Sequence, residues 1–299
     1  MPETSSASPS KSQIFFVRLC STVGLWLLIM VSFRAEADWP LVLLISAAGF
    51  LTLVEYLRMA GLANLTREFI VLGVLTGAAY WVGMAWTSIA TGHEAPFWLD
   101  LVALAVALQG AFLLTLRHHL AGHATLMRVF DTVFSIAYAG IMFGFLLRLL
   151  MFNHSSAHEG RYLALLVTMT TKFGDMGAYV VGSIFGRRKM IPHISPAKTW
   201  EGFCGAILFC FLAVTVMMLW VPGKLAPLTW TTALILAPIL ALVGIVGDLA
   251  ESVLKRCHGI KDSGHKLPGI GGILDLTDSL LFTSPVAYAY FVLLCSFHD

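Results

Sequence analysis

Nine long apolar runs constrain the fold of this chain more than any other feature of its sequence. A helix needs about 20 mostly apolar residues to cross the hydrocarbon core of a bilayer. Only 12% of the residues are charged, against about 25% in soluble domains, so the chain could not cover a water-exposed surface. We therefore predict an all-α, polytopic integral membrane protein with about nine transmembrane helices. The runs cover residues 14–33, 39–57, 69–91, 97–116, 129–151, 162–186, 203–221, 229–250 and 279–297.

The distribution of polar residues divides the chain into three predicted regions. Residues 1–13, rich in serine and proline, are expected to form a disordered cytosolic tail. Residues 14–160 are expected to be a transmembrane scaffold, and residues 161–299 a transmembrane catalytic region. The first apolar run exceeds the roughly 7–15 residues of a signal-peptide core. It is therefore interpreted as a helix, although Ala35-Glu36-Ala37 resembles a cleavage site and leaves processing open.

The basic residues predict the orientation, because lysine and arginine accumulate in cytoplasmic loops. With nine spans, the side of the N-terminal tail carries most of them, which places the tail and the loops 186–202 and 251–278 in the cytosol. The expected location is the cell (inner) membrane. The tail side carries Lys11, Arg58, Arg67, Arg117, Arg128, Arg187, Arg188, Lys189, Lys198, Lys255, Arg256, Lys261 and Lys266, and the opposite side Arg34, Arg148, Arg161 and Lys224.

The sixth run contains two ionisable residues, Lys172 and Asp175. Such residues are costly inside a bilayer and by default indicate function, which makes Asp175 a candidate catalytic residue. The alternative is a self-neutralising pair three residues apart on one helix face. Glycines in the same run would then form a close-packing stripe.

The basic loop after this run holds Ser195, Lys198 and Thr199 within five residues. All three are predicted to bind substrate, because the N-terminus of a helix offers free N–H groups to phosphate. Alternatively, Ser195 or Thr199 caps the next helix.

The loop after the eighth run is the richest in charge. If the helix continues, Asp248, Ser252 and Lys255 share one face. Asp275 and Asp278, three residues apart, would share another. Carboxylates bind hard cations such as Mg²⁺, and lysine, arginine and glycine N–H groups bind phosphate. This mixture suits metal-assisted phosphoryl or nucleotidyl transfer, and the alternative is a solvated loop with local salt bridges. The predicted phosphate-binding residues here are Ser252, Arg256, Lys261, Lys266, Gly271 and Gly272.

The order and spacing of these residues resemble the phosphatidate cytidylyltransferase (CDP-diacylglycerol synthase) family over about residues 170–285. Two positions depart from the family pattern. Ile270 stands where histidine is common, and Leu276 where arginine is common. The matching residues are 175–179, 195–202, 252–256, Lys261-Asp262, Pro268-Gly269, Gly271-Gly272, Asp275 and Asp278.

The resemblance implies that CMP passes from CTP to phosphatidic acid, giving CDP-diacylglycerol and pyrophosphate in the bilayer. It also implies that Asp248 and Asp275 hold Mg²⁺, as one or two ions, with Asp278 and Asp175 nearby. No nucleic-acid partner is expected, and a homodimer is left open. The alternatives are a CTP-dependent transferase acting on another lipid phosphate or an isoprenoid alcohol, a transporter of anionic lipid or metabolite, and an inactive variant.

Overall fold

A computed structural model describes residues 23–24, 26–63, 65–117, 119–152, 159–226, 228–260 and 271–296. Residues 26–34 are helical. The elements that follow are the helices α1 (Trp39–Ala63), α2 (Arg67–Thr91), α3 (Trp98–Thr115), α4 (His123–Ser135), a π-helix (Ile136–Met142), α5 (Phe143–Met151) and α6 (Glu159–Phe185), the strands β1 (Lys189–Ile191) and β2 (Ser195–Thr199), and the helices α7 (Trp200–Trp220), α8 (Trp230–Cys257) and α9 (Ile273–Ser296).

The prediction of an all-α polytopic membrane protein is confirmed. Among the described residues, seven helices are long and apolar enough to cross a membrane, with α4, the π-helix and α5 forming one continuous span. The count of nine is not confirmed. Half of the first predicted run lies outside the described residues. Helix α6, at 27 residues, carries Arg161, Lys172 and Asp175 along its length.

Several predicted span ends differ from the observed helices, and two of these differences concern the candidate site. Helix α8 runs to Cys257, not 250, because its polar last two turns continue the helix and end in the basic residues Lys255 and Arg256, which suit a helix C-terminus. Helix α9 begins at Ile273, not 279. The acids at 275 and 278 are therefore helical residues in the first two turns of α9.

Arg148 and Arg161, which the sequence interpretation counted with the non-cytosolic side, lie within α5 and α6. Arg148 is fully buried, pairs with Asp100 at 3.0 Å and stacks on the Phe97 ring at 4.3 Å from its centroid. Arg161 donates to the carboxylate of Asp38. An opposite charge within hydrogen-bonding distance offsets the cost of removing each guanidinium from water.

Helices α6 and α7 pack closely against each other at glycine residues, as the alternative interpretation of a close-packing glycine stripe indicated. A Cβ atom on Gly177 would lie 2.5 Å from the carbonyl oxygen of Gly205, and one on Gly205 would lie 2.6 Å from that of Gly177. Small residues permit such backbone approach between membrane helices. The packing fixes α6, which carries Asp175, against the helix that follows the β1–β2 hairpin.

We expect Gly177→Ala to lower the free energy of unfolding by about 1–3 kcal/mol, because backbone atoms cannot move aside as a side chain can. The matched control is Gly83→Ala in α2, where the new Cβ would meet only the mobile end of Leu99 at 3.3 Å. Thermal unfolding in detergent measures both. Equal melting temperatures for the two variants would contradict close backbone packing of α6 on α7.

Candidate active site

An acidic cavity of about 410 Å³ lies where α6, α8 and α9 meet. Each helix presents polar side chains to it from an otherwise apolar sequence. Because buried charge in a membrane protein is costly, seven polar residues converging on one cavity mark a functional site. The lining residues are Asp175 from α6, Asp248, Glu251 and Lys255 from α8, and Asp275, Asp278 and Ser279 from α9.

Three of these acids form a compact group suited to a cation. One carboxylate oxygen each from Asp248, Glu251 and Asp278 lies within 4.8 Å of the others. Glu251 and Asp278 are only 3% and 6% exposed. The Glu251 Oε1 atom is buried and has no hydrogen-bond partner among the described residues. Oxygen ligands converging in this way match the coordination preference of Mg²⁺.

Three lysines form ion pairs with acids of the cavity. Lys198 Nζ lies 2.6 Å from Asp248, Lys172 Nζ lies 3.0 Å from Asp175, and Lys255 Nζ lies 2.9 Å from Glu251. The alternating charges hold the carboxylates together and leave ammonium donors around the cavity. The pair between Lys172 and Asp175 that the sequence offered as an alternative does form, and Asp175 still faces the cavity.

The short β1–β2 hairpin brings Lys198 to this site from the loop before α7. The strands are antiparallel, with Lys189 opposite Thr199. Thr199 caps α7, its hydroxyl accepting from the Gly202 N–H at 3.1 Å, so the capping interpretation holds for this residue. Glu201 accepts from the backbone N–H groups of Arg187 and Arg188 and closes the base of the hairpin. The loop is therefore ordered by its own hydrogen bonds.

Two N–H donors meet the Asp275 carboxylate at the start of α9. One oxygen accepts from Lys255, and the other accepts from the Gly272 N–H at 2.7 Å. A carboxylate at the third helical residue that binds the N–H before the helix is one half of a capping box. Asp275 thus joins the helix terminus to the lysine of α8. It is not one of the three convergent acids, and its predicted role as a metal ligand stays a prediction.

The N-terminal half contributes to the site in a way that sequence reasoning missed. Glu55 of α1 is 1% exposed and accepts from the Leu274 N–H at 2.7 Å. Thr52, one turn earlier, lies 3.0 Å from Thr277, hydroxyl to hydroxyl. These contacts fix the first turn of α9 and with it Asp275. The available signal for Glu55 was an isolated acid within a mostly apolar run.

Glu251 and Ser279 are the other residues that the sequence interpretation left out of the site. The signal for Glu251 was its spacing, three residues after Asp248 and four before Lys255. Ser279 donates to Asp175 at 3.1 Å and so links α9 to α6.

The structure brings together some of the predicted site residues and not others. All five residues that the sequence predicts to be catalytic line the cavity, and Lys198 reaches it through Asp248. The five are Asp175, Asp248, Lys255, Asp275 and Asp278. Lys261 and Lys266 lie outside the described residues. The predicted substrate-binding residues that do not line the described cavity are Ser195, Thr199, Ser252, Arg256, Gly271 and Gly272.

A family model for the cytidylyltransferase family matches residues 16–294. The chain belongs to this family. The predicted resemblance is thereby confirmed, and the cytidylyltransferase family is one of nucleotidyltransferase enzymes.

Curated relatives agree with this assignment. The phosphatidate cytidylyltransferase of Bacillus subtilis is 32% identical over 249 residues, which cover 83% of this chain and 87% of that protein. That of Staphylococcus saprophyticus is 41% identical over 152 residues, covering 51% and 55%. The uncharacterized protein YnbB of Escherichia coli is 35% identical over 202 residues, covering 66% and 65%. The match therefore spans about half the length of the Staphylococcus relative.

Proposed function

We propose that this protein is a phosphatidate cytidylyltransferase, which transfers CMP from CTP to phosphatidic acid and releases pyrophosphate. The observation that carries the proposal is the convergence of acids and lysines in one cavity bounded by membrane helices. Polyanionic substrates need cationic groups to approach one another, and a lipid substrate needs a site that opens to the bilayer. The relatives named phosphatidate cytidylyltransferase support the same assignment.

The reaction requires positioning more than proton removal. A phosphate monoester is largely ionised at neutral pH, so its oxygen is already a nucleophile. This oxygen attacks the α-phosphorus of CTP, the bond from that phosphorus to the bridging oxygen breaks, and pyrophosphate leaves with the electron pair. Lys198 and Lys255, each held against a carboxylate, are placed to donate to phosphate oxygens and align the substrates.

Asp248, Glu251 and Asp278 fit Mg²⁺, since one carboxylate oxygen from each converges. In addition, Oε1 of Glu251 has no hydrogen-bond partner among the described residues. A bound Mg²⁺ would neutralise triphosphate charge and polarise the bond that breaks. The sequence interpretation assigned Asp248 and Asp275 to the metal, with one or two ions. The geometry favours Glu251 and Asp278 beside Asp248, and leaves Asp275 to hold Lys255.

We predict Mg²⁺-dependent formation of CDP-diacylglycerol by the purified protein. The assay combines phosphatidic acid with each nucleoside triphosphate, with and without Mg²⁺, and identifies the products by mass spectrometry. CTP or dCTP should yield a liponucleotide and pyrophosphate. No liponucleotide with any nucleotide, from protein with a cooperative melting transition, would reject the enzyme and favour an inactive variant at Ile270 and Leu276 or a transporter.

The same assay separates the two transferase alternatives. Transfer to another lipid phosphate would give a liponucleotide only with that lipid. Phosphoryl transfer to an isoprenoid alcohol would give a lipid phosphate and CDP instead of pyrophosphate. Panels of defined lipids therefore identify the acceptor.

We also propose that the hairpin loop and the loop of residues 251–278 face the cytosol, where CTP is found. In a cysteine-free variant of the protein, His193→Cys and Ser263→Cys should react with a membrane-impermeant maleimide only in inside-out vesicles. His93→Cys, exposed between α2 and α3, should react only from the other side. Labelling of either loop residue from outside would overturn the orientation.

A further inference from the structure

A second cavity, of about 400 Å³, lies beside the acidic one and differs from it in character. It is an apolar groove between the helical residues 26–34, α1, α5, α6 and α9. One face of α6 lines it at helical spacing, from Arg161 through Ala164, Leu165 and Thr168 to Lys172. A volume of this size lies within the range of small-molecule sites, about 300–1,000 Å³. The groove is therefore large enough for a ligand.

One end of the groove reaches the acidic cavity. Lys172 lines the groove while its ammonium lies 3.0 Å from Asp175 of the acidic cavity. Leu276 and Thr277 line the groove, whereas Asp275 and Asp278, on either side of them in the sequence, line the acidic cavity. Leu276 stands where the resembled family commonly has arginine, so in this chain the junction is apolar on the groove side. A ligand with a charged head and an apolar tail would match both compartments.

The other end of the groove is closed by charge. Arg161 is 8% exposed and donates to Asp38 and to the Ala35 carbonyl oxygen at 3.0 Å. An apolar chain cannot pass this point without leaving those groups unpaired. Arg161 and Lys172 are eleven residues apart on α6, which is about 16 Å along a helix.

We infer that this groove binds one acyl chain of the lipid substrate, with the lipid phosphate at Lys172 and the chain end near Arg161. The inference rests on the proposed function for the identity of the lipid. It assigns to the groove a selection for chain length, because the distance from the phosphate site to the closed end is fixed. It also assigns to Lys172 the positioning of the lipid phosphate beside the convergent acids.

A pair of neighbouring substitutions tests the selection. Ala48→Leu fills the groove from α1, whereas Ala47→Leu adds the same side chain on an exposed position of the same helix. We expect Ala48→Leu to lower turnover of dioleoyl phosphatidic acid relative to dihexanoyl phosphatidic acid at least tenfold. Ala47→Leu should leave that ratio unchanged. If Ala48→Leu does not fold, Thr168→Leu fills the groove from α6. An unchanged ratio in a folded, active groove variant would overturn the inference.

A binding measurement separates failure of the groove assignment from failure of the proposed function. Wild-type protein in vesicles is irradiated with phosphatidic acid that carries a diazirine near the end of one acyl chain, without nucleotide. Cross-links should map to groove residues such as Leu41 and Leu165, and unlabelled phosphatidic acid should compete while phosphatidylcholine should not. Cross-links confined to outward-facing residues such as Leu101, or equal competition by phosphatidylcholine, would reject the groove as a substrate site even if no turnover were measurable.

Discussion

We expect Asp278→Asn to lower the rate of CDP-diacylglycerol formation by about 10²–10³-fold, the cost of removing one preorganised electrostatic group from an active site. In the wild-type protein the Ser279 N–H donates to Asp278 at 2.6 Å. Asparagine keeps the shape of the side chain and an oxygen that can accept this hydrogen bond. It removes one of the three convergent carboxyl groups. The Mg²⁺ concentration for half-maximal activity should therefore rise together with the loss of turnover.

The matched control for this variant is Asp100→Asn. Asp100 is also a buried helical acid, but it accepts from Tyr80 and Arg148 and does not line the acidic cavity. Its substitution should lower thermal stability, because Arg148 loses its counter-ion, while the turnover of the folded protein and its Mg²⁺ dependence stay near wild type. If the two variants lost activity to the same extent, the acidic cavity would not be the catalytic centre.

Asp275→Asn is expected to have a comparable effect, about 10²–10³-fold on turnover, for a different reason. An amide can still accept from the Gly272 N–H, so the start of α9 should keep its cap. The amide cannot form an ion pair with Lys255. We expect the lysine to pair with Glu251 alone, whose carboxylate lies 2.9 Å from it in the wild-type protein. The lysine would no longer be aligned for a phosphate oxygen.

A Mg²⁺ titration of Asp275→Asn separates two roles for this residue. If Asp275 only holds Lys255, turnover falls while the half-maximal Mg²⁺ concentration remains that of the wild type. If it ligates the metal, as the sequence interpretation predicted, that concentration rises as it does for Asp278→Asn. Unchanged turnover with unchanged melting temperature would contradict both roles and leave Asp275 only the role of capping α9.

Much of the site was predictable because its residues are close in sequence. Asp248 and Lys255 lie two turns apart on one helix, and Asp275 and Asp278 lie one turn apart on another, so helical periodicity alone groups them. The charges of Lys172 and Asp175 stand out because their neighbours are apolar. The boundary errors at α8 and α9 arose from equating a helix with its apolar part, whereas a polar turn can extend a helix beyond the bilayer.

The sequence by itself determined the membrane class, most of the helices and the chemistry of the polar segments, since each follows from local composition and spacing. Only the tertiary structure decided which helix faces meet. It grouped Glu251 with Asp248 and Asp278, brought Lys198 to Asp248 from a separate loop, and set Glu55 of α1 on the N-terminus of α9. Periodicity defines the residues of a face but not its partner, because the partner depends on close packing between helices distant along the chain.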